Sequence, residues 1–217
     1  TSAPPSLPQF RAVLFDFDGT LARTMEDHFA AWRAALEPHS LALKPEDYFP
    51  LEGTPLRDLA ARYLGPTADR HAVDALISRK EAYYLTHHSL KLYPGVEALL
   101  VALRERGVAL GIVTAGLRDR IERSVPASFL ARFDTVVTGD HPPRGKPFPD
   151  PYLAGAKALN VAANECLAVE NAPLGVESAK SAGMYCVAVC STVAAGHLSR
   201  ADETVPSFID LPSSRAL

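Results

Sequence analysis

Asp16 and Asp18 close an apolar run, Ala12-Val13-Leu14-Phe15, and are followed by Gly19-Thr20. On an extended backbone residues i and i+2 point to the same side, so the two carboxylates converge. Like charges that close are costly unless a cation sits between them, and hard carboxylate oxygens suit Mg²⁺. A polar turn is the plain alternative, because Asp-Gly is a common turn pair. Thr114-Ala115-Gly116 offers a hydroxyl and exposed backbone N–H groups, which together can hold phosphate oxygens. Lys146 stands in the proline-stiffened stretch Gly145-Lys146-Pro147-Phe148-Pro149, a point charge fit for a phosphate or simply a solvated lysine. Glu170 and Asn171 carry side-chain oxygens that could complete a metal shell, although Asn171 could equally cap the helix after it.

These groups need a scaffold, and the chain pattern supplies one. Residues 11–15 form a short apolar run ended by polar residues and a glycine, which reads as a strand buried on both faces. From about residue 24 to 91 no strand signal interrupts. His28, Phe29, Trp32, Ala35 and Leu36 recur at helical spacing, and 55–64 and 68–85 read as further helices. Beyond Pro94-Gly95 the pattern changes. A helix ends at Arg106-Gly107, then strands at 108–113, 135–137, 166–169 and 185–190 alternate with helices at 150–159 and 174–182. Strand–helix alternation predicts an α/β fold with a doubly wound parallel sheet. Residues 1–23 and 92–217 make its core, and 24–91 read as an all-helical domain inserted into it. Ligands of such sheets bind beyond the carboxyl ends of the strands. Each of the groups above follows a strand or lies in a loop between strands and helices.

Composition narrows the function. The chain has 217 residues, 47% hydrophobic and 22% charged, which excludes a disordered tail, a collagen and a small disulfide scaffold. With 22 Lys+Arg against 25 Asp+Glu the net charge is −3, so a nucleic-acid partner is disfavoured. No apolar run reaches the roughly 18 residues of a membrane span. The cysteines Cys166, Cys186 and Cys190 form no CxxC pair and read as small core residues in a reducing compartment. Thr1 to Pro8 lacks a basic region and an apolar region, so it is not read as a signal peptide, and a cytoplasmic location is expected.

The order Asp16-Phe17-Asp18-Gly19-Thr20, Thr114, Lys146 in Gly-Lys-Pro, then Glu170-Asn171 with Gly175 and Ala182-Gly183-Met184, resembles the haloacid dehalogenase superfamily. Within it the chain looks like the β-phosphoglucomutase-like phosphatases and mutases, over about Arg11 to Leu211. The resemblance implies a Rossmann-like core with a helical cap over the site. It implies Asp16 as the nucleophile that forms an aspartyl-phosphate, and Asp18 as the acid and later the base. Dehalogenating members lack the second aspartate, so its presence points to phosphoryl transfer. Mg²⁺ would be held by Asp16, the Asp18 carbonyl, Glu170 and Asn171. Gly19, Thr114, Ala115 and Lys146 would surround the phosphoryl group. A neighbouring carboxylate and burial are expected to push the Asp18 pKa up, which suits an acid. Relatives usually carry Glu-Asp or Asp-Asp where this chain has Glu170-Asn171, and an Asn carbonyl ligates Mg²⁺ without bringing charge.

Substrate choice would fall to the cap. Its candidates are His28 and Trp32, four residues apart on one helix face, Glu52-Gly53 in a loop, and Lys80. Core packing is the plain alternative for Trp32 and His28. The expected function is a Mg²⁺-dependent phosphatase of a small phosphorylated metabolite, acting as a monomer or weak dimer. A phosphomutase is the first alternative, since Arg79-Lys80-Glu81 resembles the mutase Arg-Lys-Asn, with Glu81 replacing Asn and Arg57 one residue late for the mutase's loop arginine. A pyrophosphatase, using Glu52, and a non-catalytic relative are the others.

Overall fold

The computed structural model describes residues 10–217, so the reading of Thr1 to Pro8 lies outside the described residues. Strand β1 (Ala12–Phe15) is buried along its whole length. Its side chains alternate between two apolar layers. Val13 and Phe15 enter one with Leu99, Leu100 and Phe208, while Ala12 and Leu14 enter the other with Tyr152, Val176 and Ala179. Burial on both faces is why the run is continuously apolar rather than alternating.

After β1 come helices α1 (Met25–Leu36), α2 (Pro45–Tyr48), α3 (Leu56–Leu64) and α4 (Arg70–His87). They close around a third apolar cluster holding Trp32, Leu36, Leu59, Val73 and Leu76. The chain leaves the sheet and returns to it side by side: Ala22 bridges Leu92, and Arg23 N–H donates to the Lys91 carbonyl at 2.7 Å. Asp69 starts α4 by accepting from the Ala72 N–H at 2.7 Å.

Helix α5 (Val96–Glu105) leads to strand β2 (Ala109–Val113), then α6 (Arg118–Ser124), α7 (Ala127–Leu130), β3 (Thr135–Val137) and α8 (Asp150–Ala158). Strand β4 (Cys166–Glu170), α9 (Pro173–Ser181), β5 (Tyr185–Val189) and β6 (Glu203–Val205) follow. The parallel sheet has the order β3-β2-β1-β4-β5-β6. It is a doubly wound Rossmann-like α/β core. The order reverses at β1, so the crevice opens between the carboxyl ends of β1 and its neighbours. The three cysteines are free, and Cys166 and Cys186 are buried. Among the described residues no helix is long and apolar enough to cross a membrane.

Two differences from the sequence reading matter. Nothing was expected between Gly116 and Thr135, where α6 and α7 stand. Helix α6 reads Arg-Asp-Arg-Ile-Glu-Arg-Ser, too short and too charged for a helical apolar period to show. The short edge strand β6 was missed for the same reason of length.

The Phe15 ring sits between Phe133 and Phe208, with centroids 6.5 Å and 6.3 Å away. Phe15→Ala is therefore expected to lower stability by about 3–5 kcal/mol in urea unfolding. Val101→Ala, at a position 51% exposed, should change it by under about 0.5 kcal/mol. Equal effects would mean the sheet layer is not the core of the fold.

Candidate active site

The end of β1 places Asp16, whose N–H continues the sheet by donating to the Val169 carbonyl at 2.9 Å. The neighbouring strand β4 ends in Glu170, fully buried. Between these carboxylates lies Lys146, delivered by the loop before α8. Its Nζ donates to Asp16 Oδ1 at 2.7 Å and to Glu170 Oε1 at 2.5 Å. Tyr152 on α8 donates its hydroxyl to the same Glu170 oxygen at 2.9 Å, and the Asn171 and Ala172 N–H groups donate to Oε2 at 3.0 and 3.2 Å. Glu170 thus spends both oxygens on protein donors. Asp16 keeps one oxygen, Oδ2, buried and without a partner.

One ammonium serves two buried carboxylates, so the site is short of positive charge. Burial, with Glu170 beside it, pushes the Asp16 carboxyl up to about 7 against the pull of Lys146. Burial alone would lower Lys146, but Asp16 and Glu170 reverse that and raise it. The orphaned Asp16 oxygen and the Asn171 amide oxygen are hard donors of low total charge. Mg²⁺, which keeps several waters and takes one or two carboxylates, fits such a set. Among the described residues no group of three or more His, Cys, Asp and Glu side chains is arranged to hold a metal. Glu170 is turned to Lys146, with both of its oxygens on protein donors.

Asn171 is not the helix cap that its position allowed. Its Oδ1 accepts from the Thr20 hydroxyl at 3.0 Å. Its Nδ2 donates to Glu52 Oε2 at 2.8 Å and to Thr192 Oγ1 at 2.9 Å. Thr192 also donates to Glu52 Oε2 at 2.7 Å. Gly19 makes this possible. It has φ +89°, and a Cβ there would meet Asn171 Nδ2 at 2.2 Å. Its own N–H donates to the Ala22 carbonyl at 2.8 Å. Gly19 therefore contributes space for Asn171, and its N–H is taken by the Ala22 carbonyl.

Asp18 turns toward the helical block. Its Oδ1 accepts from the Thr24 hydroxyl at 2.7 Å, His28 Nε2 at 3.1 Å and Arg120 Nη1 at 3.1 Å. Its Oδ2 accepts from Arg120 Nη2 at 2.5 Å, with the Thr114 hydroxyl at 3.4 Å. Burial would raise the Asp18 pKa, as the sequence suggested. Arg120 and His28 more than offset it and hold the carboxyl well below its usual range. The expected upward push is reversed by a guanidinium that the sequence reading did not place.

His28 lies between Asp18 and Lys80, whose Nζ is 3.0 Å from Nδ1. An ammonium only donates, so Nδ1 accepts and the Nε2–H faces Asp18. Burial and the Lys80 charge push the His28 pKa down to about 4, which agrees with this neutral ring. Lys80 pairs with Glu81 at 2.8 Å, and Tyr84 stacks on His28 with centroids 4.1 Å apart.

The residues enclose a cavity of about 70 Å³. Asp16, Asp18, Thr114, Ala115 and Asn171 line it from the sheet side, and His28, Trp32, Glu52, Gly53 and Lys80 from the helical block. Trp32, 1% exposed, belongs to the cluster of the block as well. Lys146 and Glu170 stand behind Asp16, and Arg120, Tyr84, Tyr152, Thr24 and Thr192 are the members that sequence reading missed. The spacing of Thr24 after Asp18 is a local signal that was available. The others arrive from remote segments.

A model of the haloacid dehalogenase-like hydrolases matches residues 13–189. The chain belongs to that family. Among its relatives, validoxylamine A 7'-phosphate phosphatase of Streptomyces hygroscopicus subsp. limoneus is 32% identical over 89% of this chain and 92% of its own. Hexitol phosphatase A of Escherichia coli (strain K12) is 31% identical over 91% of each. β-Phosphoglucomutase from Clostridium difficile superposes with a TM-score of 0.83 at 23% identity, covering 93% of both chains, a likeness of fold. This haloacid dehalogenase-like chain is accordingly a phosphohydrolase.

Lys146→Ala would leave two buried carboxylates facing each other. In metal-free protein it is expected to cost about 3–5 kcal/mol in urea unfolding. Glu52 gives a pH dependence. Burial pushes its carboxyl from 4.5 up to about 8. The folded state then holds the proton longer than the unfolded one, so stability falls as pH rises from about 4.5 to 8 and levels off above. Glu52→Gln should flatten that slope in metal-free unfolding midpoints, and an unchanged slope would remove Glu52 as its source.

Proposed function

We propose that this haloacid dehalogenase-like chain is a Mg²⁺-dependent phosphatase of a small phosphate monoester of the sugar or polyol kind, working through an aspartyl-phosphate on Asp16. The observation that carries this is the Asp16 carboxylate at the β1 switch point. One oxygen is anchored by Lys146, and the other is unpartnered in a site that Thr114 and Ala115 also line.

Asp16 would attack phosphorus, and the bond to the leaving oxygen would break as the new one forms. Lys146 offsets the repulsion between the carboxylate and the incoming phosphate. Mg²⁺, held by Asp16, the Asp18 carbonyl and Asn171, would supply further positive charge there. Asp18 would protonate the leaving oxygen and later activate the water. Asp18 is held as an anion by Arg120, so to act as an acid it would have to turn from that partner. A 70 Å³ cavity is far below the roughly 300 Å³ or more of a ligand site, so residues 24–91 must open as a cap to admit a sugar.

The phosphatases among the relatives act on a validoxylamine phosphate and hexitol phosphates by their names, which supports polyhydroxy leaving groups. The mutase reading is not favoured, because Arg57 is half-exposed and paired with Asp74 at 2.7 Å. It is not among the residues of the cavity.

Phosphate release from hexitol phosphates, sugar phosphates, phosphoglycolate, an aryl phosphate and pyrophosphate tests this, with and without Mg²⁺. Release from the sugar or hexitol phosphates should exceed that from pyrophosphate, and Asp16→Asn should lower it by at least about a thousandfold. Release that survives Asp16→Asn would reject the aspartyl-phosphate. Interconversion of glucose phosphates without net release would favour the mutase.

A further inference from the structure

Arg120 lines the cavity, yet the chemistry above gives it no task of its own. It is only 3% exposed. A guanidinium is not buried without a partner, and here the partner is the Asp18 carboxylate, gripped through both oxygens. The surrounding backbone is built to admit it. A Cβ at Gly116 would lie 1.8 Å from Arg120 Nη2, so only glycine leaves room. On the other side the Tyr84 ring from α4 lies 5.4 Å from Cζ. The group is therefore fixed between the loop after β2 and a cap helix.

Two further observations point to a ligand other than Asp18. Arg120 Nε is buried and has no acceptor. The Thr114 hydroxyl, which accepts from the Gly116 N–H at 3.0 Å, approaches the same Asp18 oxygen that Arg120 holds. The Asp18 carboxylate thus occupies a ring of donors: two from Arg120, the hydroxyls of Thr24 and Thr114, and the His28 ring N–H. A phosphoryl group offers two oxygens to the same pair of Nη donors, with greater charge than the carboxylate. Arginine suits that bidentate task better than the point charge of lysine.

We infer that Arg120 is a phosphoryl-binding residue and that the Asp18 carboxylate holds it in the phosphoryl group's stead. An arriving phosphoryl group and Asp18 then compete for one guanidinium, and the substrate's own charge frees the Asp18 side chain. The inference rests on the phosphoryl site proposed above and adds the residue that couples its occupancy to Asp18.

Titration calorimetry with inorganic phosphate at fixed Mg²⁺ tests it. Arg120→Ala should weaken binding by about tenfold to a hundredfold, and Arg120→Lys should recover part of that. Asp18→Ala should tighten binding several-fold, but not in the Arg120→Ala background. With substrate, Arg120→Ala should raise KM more than it lowers kcat. Thermal melts report folding, and if Arg120→Ala does not fold, Arg120→Lys and its double variant with Asp18→Ala carry the test. A phosphate affinity within twofold of the parent for Arg120→Ala, the same tightening by Asp18→Ala in both backgrounds, or no phosphate binding by the parent overturns the inference. Phosphate binding that couples Arg120 to Asp18 without Asp16-dependent release would reject the phosphatase and uphold the anion site.

Discussion

One buried ammonium between two carboxylates organises the site. Lys146 reaches Asp16 and Glu170 from the loop before α8, and all three are nearly inaccessible to water. Such a triad is a poor source of stability, since taking three charges out of water is costly. Its value is positional. The Tyr152 hydroxyl and two backbone N–H groups hold Glu170, Glu170 holds Lys146, and Lys146 fixes one oxygen of Asp16. The other oxygen is buried without a protein partner.

A second set of charges runs across the seam between the sheet and the helices. Glu81, Lys80, His28, Asp18 and Arg120 touch in succession. Each member is buried or nearly so, and the chain alternates in role so that each anion has a cation or an N–H beside it. Opening the seam would separate His28 and Lys80 from Asp18. Movement of the helices and the state of Asp18 are thereby tied through contacts rather than through distance.

Asn171 shows how a neutral residue can serve where a carboxylate would be expected. Its amide accepts from Thr20 and donates to Glu52 and Thr192, so it links the end of β1, the loop before α3 and the loop after β5. An aspartate could not donate to Glu52. In this chain the carboxyl comes from the loop before α3 and the amide from the end of β4.

Much of this was legible in the residues. The buried strand, the α/β alternation after residue 94, and the grouping of Asp16, Asp18, Thr114, Lys146, Glu170 and Asn171 follow from apolar periodicity and from which residues end each strand. Parallel strands put their carboxyl ends on one edge, so local position sufficed. Side-chain direction was not local. Asn171 looked like a helix cap or a metal ligand, and its amide went to Thr20, Glu52 and Thr192. Asp18 looked like a carboxyl with a raised pKa, and Arg120 reversed it from 102 positions away on a helix too short to show a period. Sequence pattern set which groups share the edge of the sheet. Only tertiary packing decided which cation each carboxylate meets, because that depends on contacts between segments that no spacing along the chain encodes.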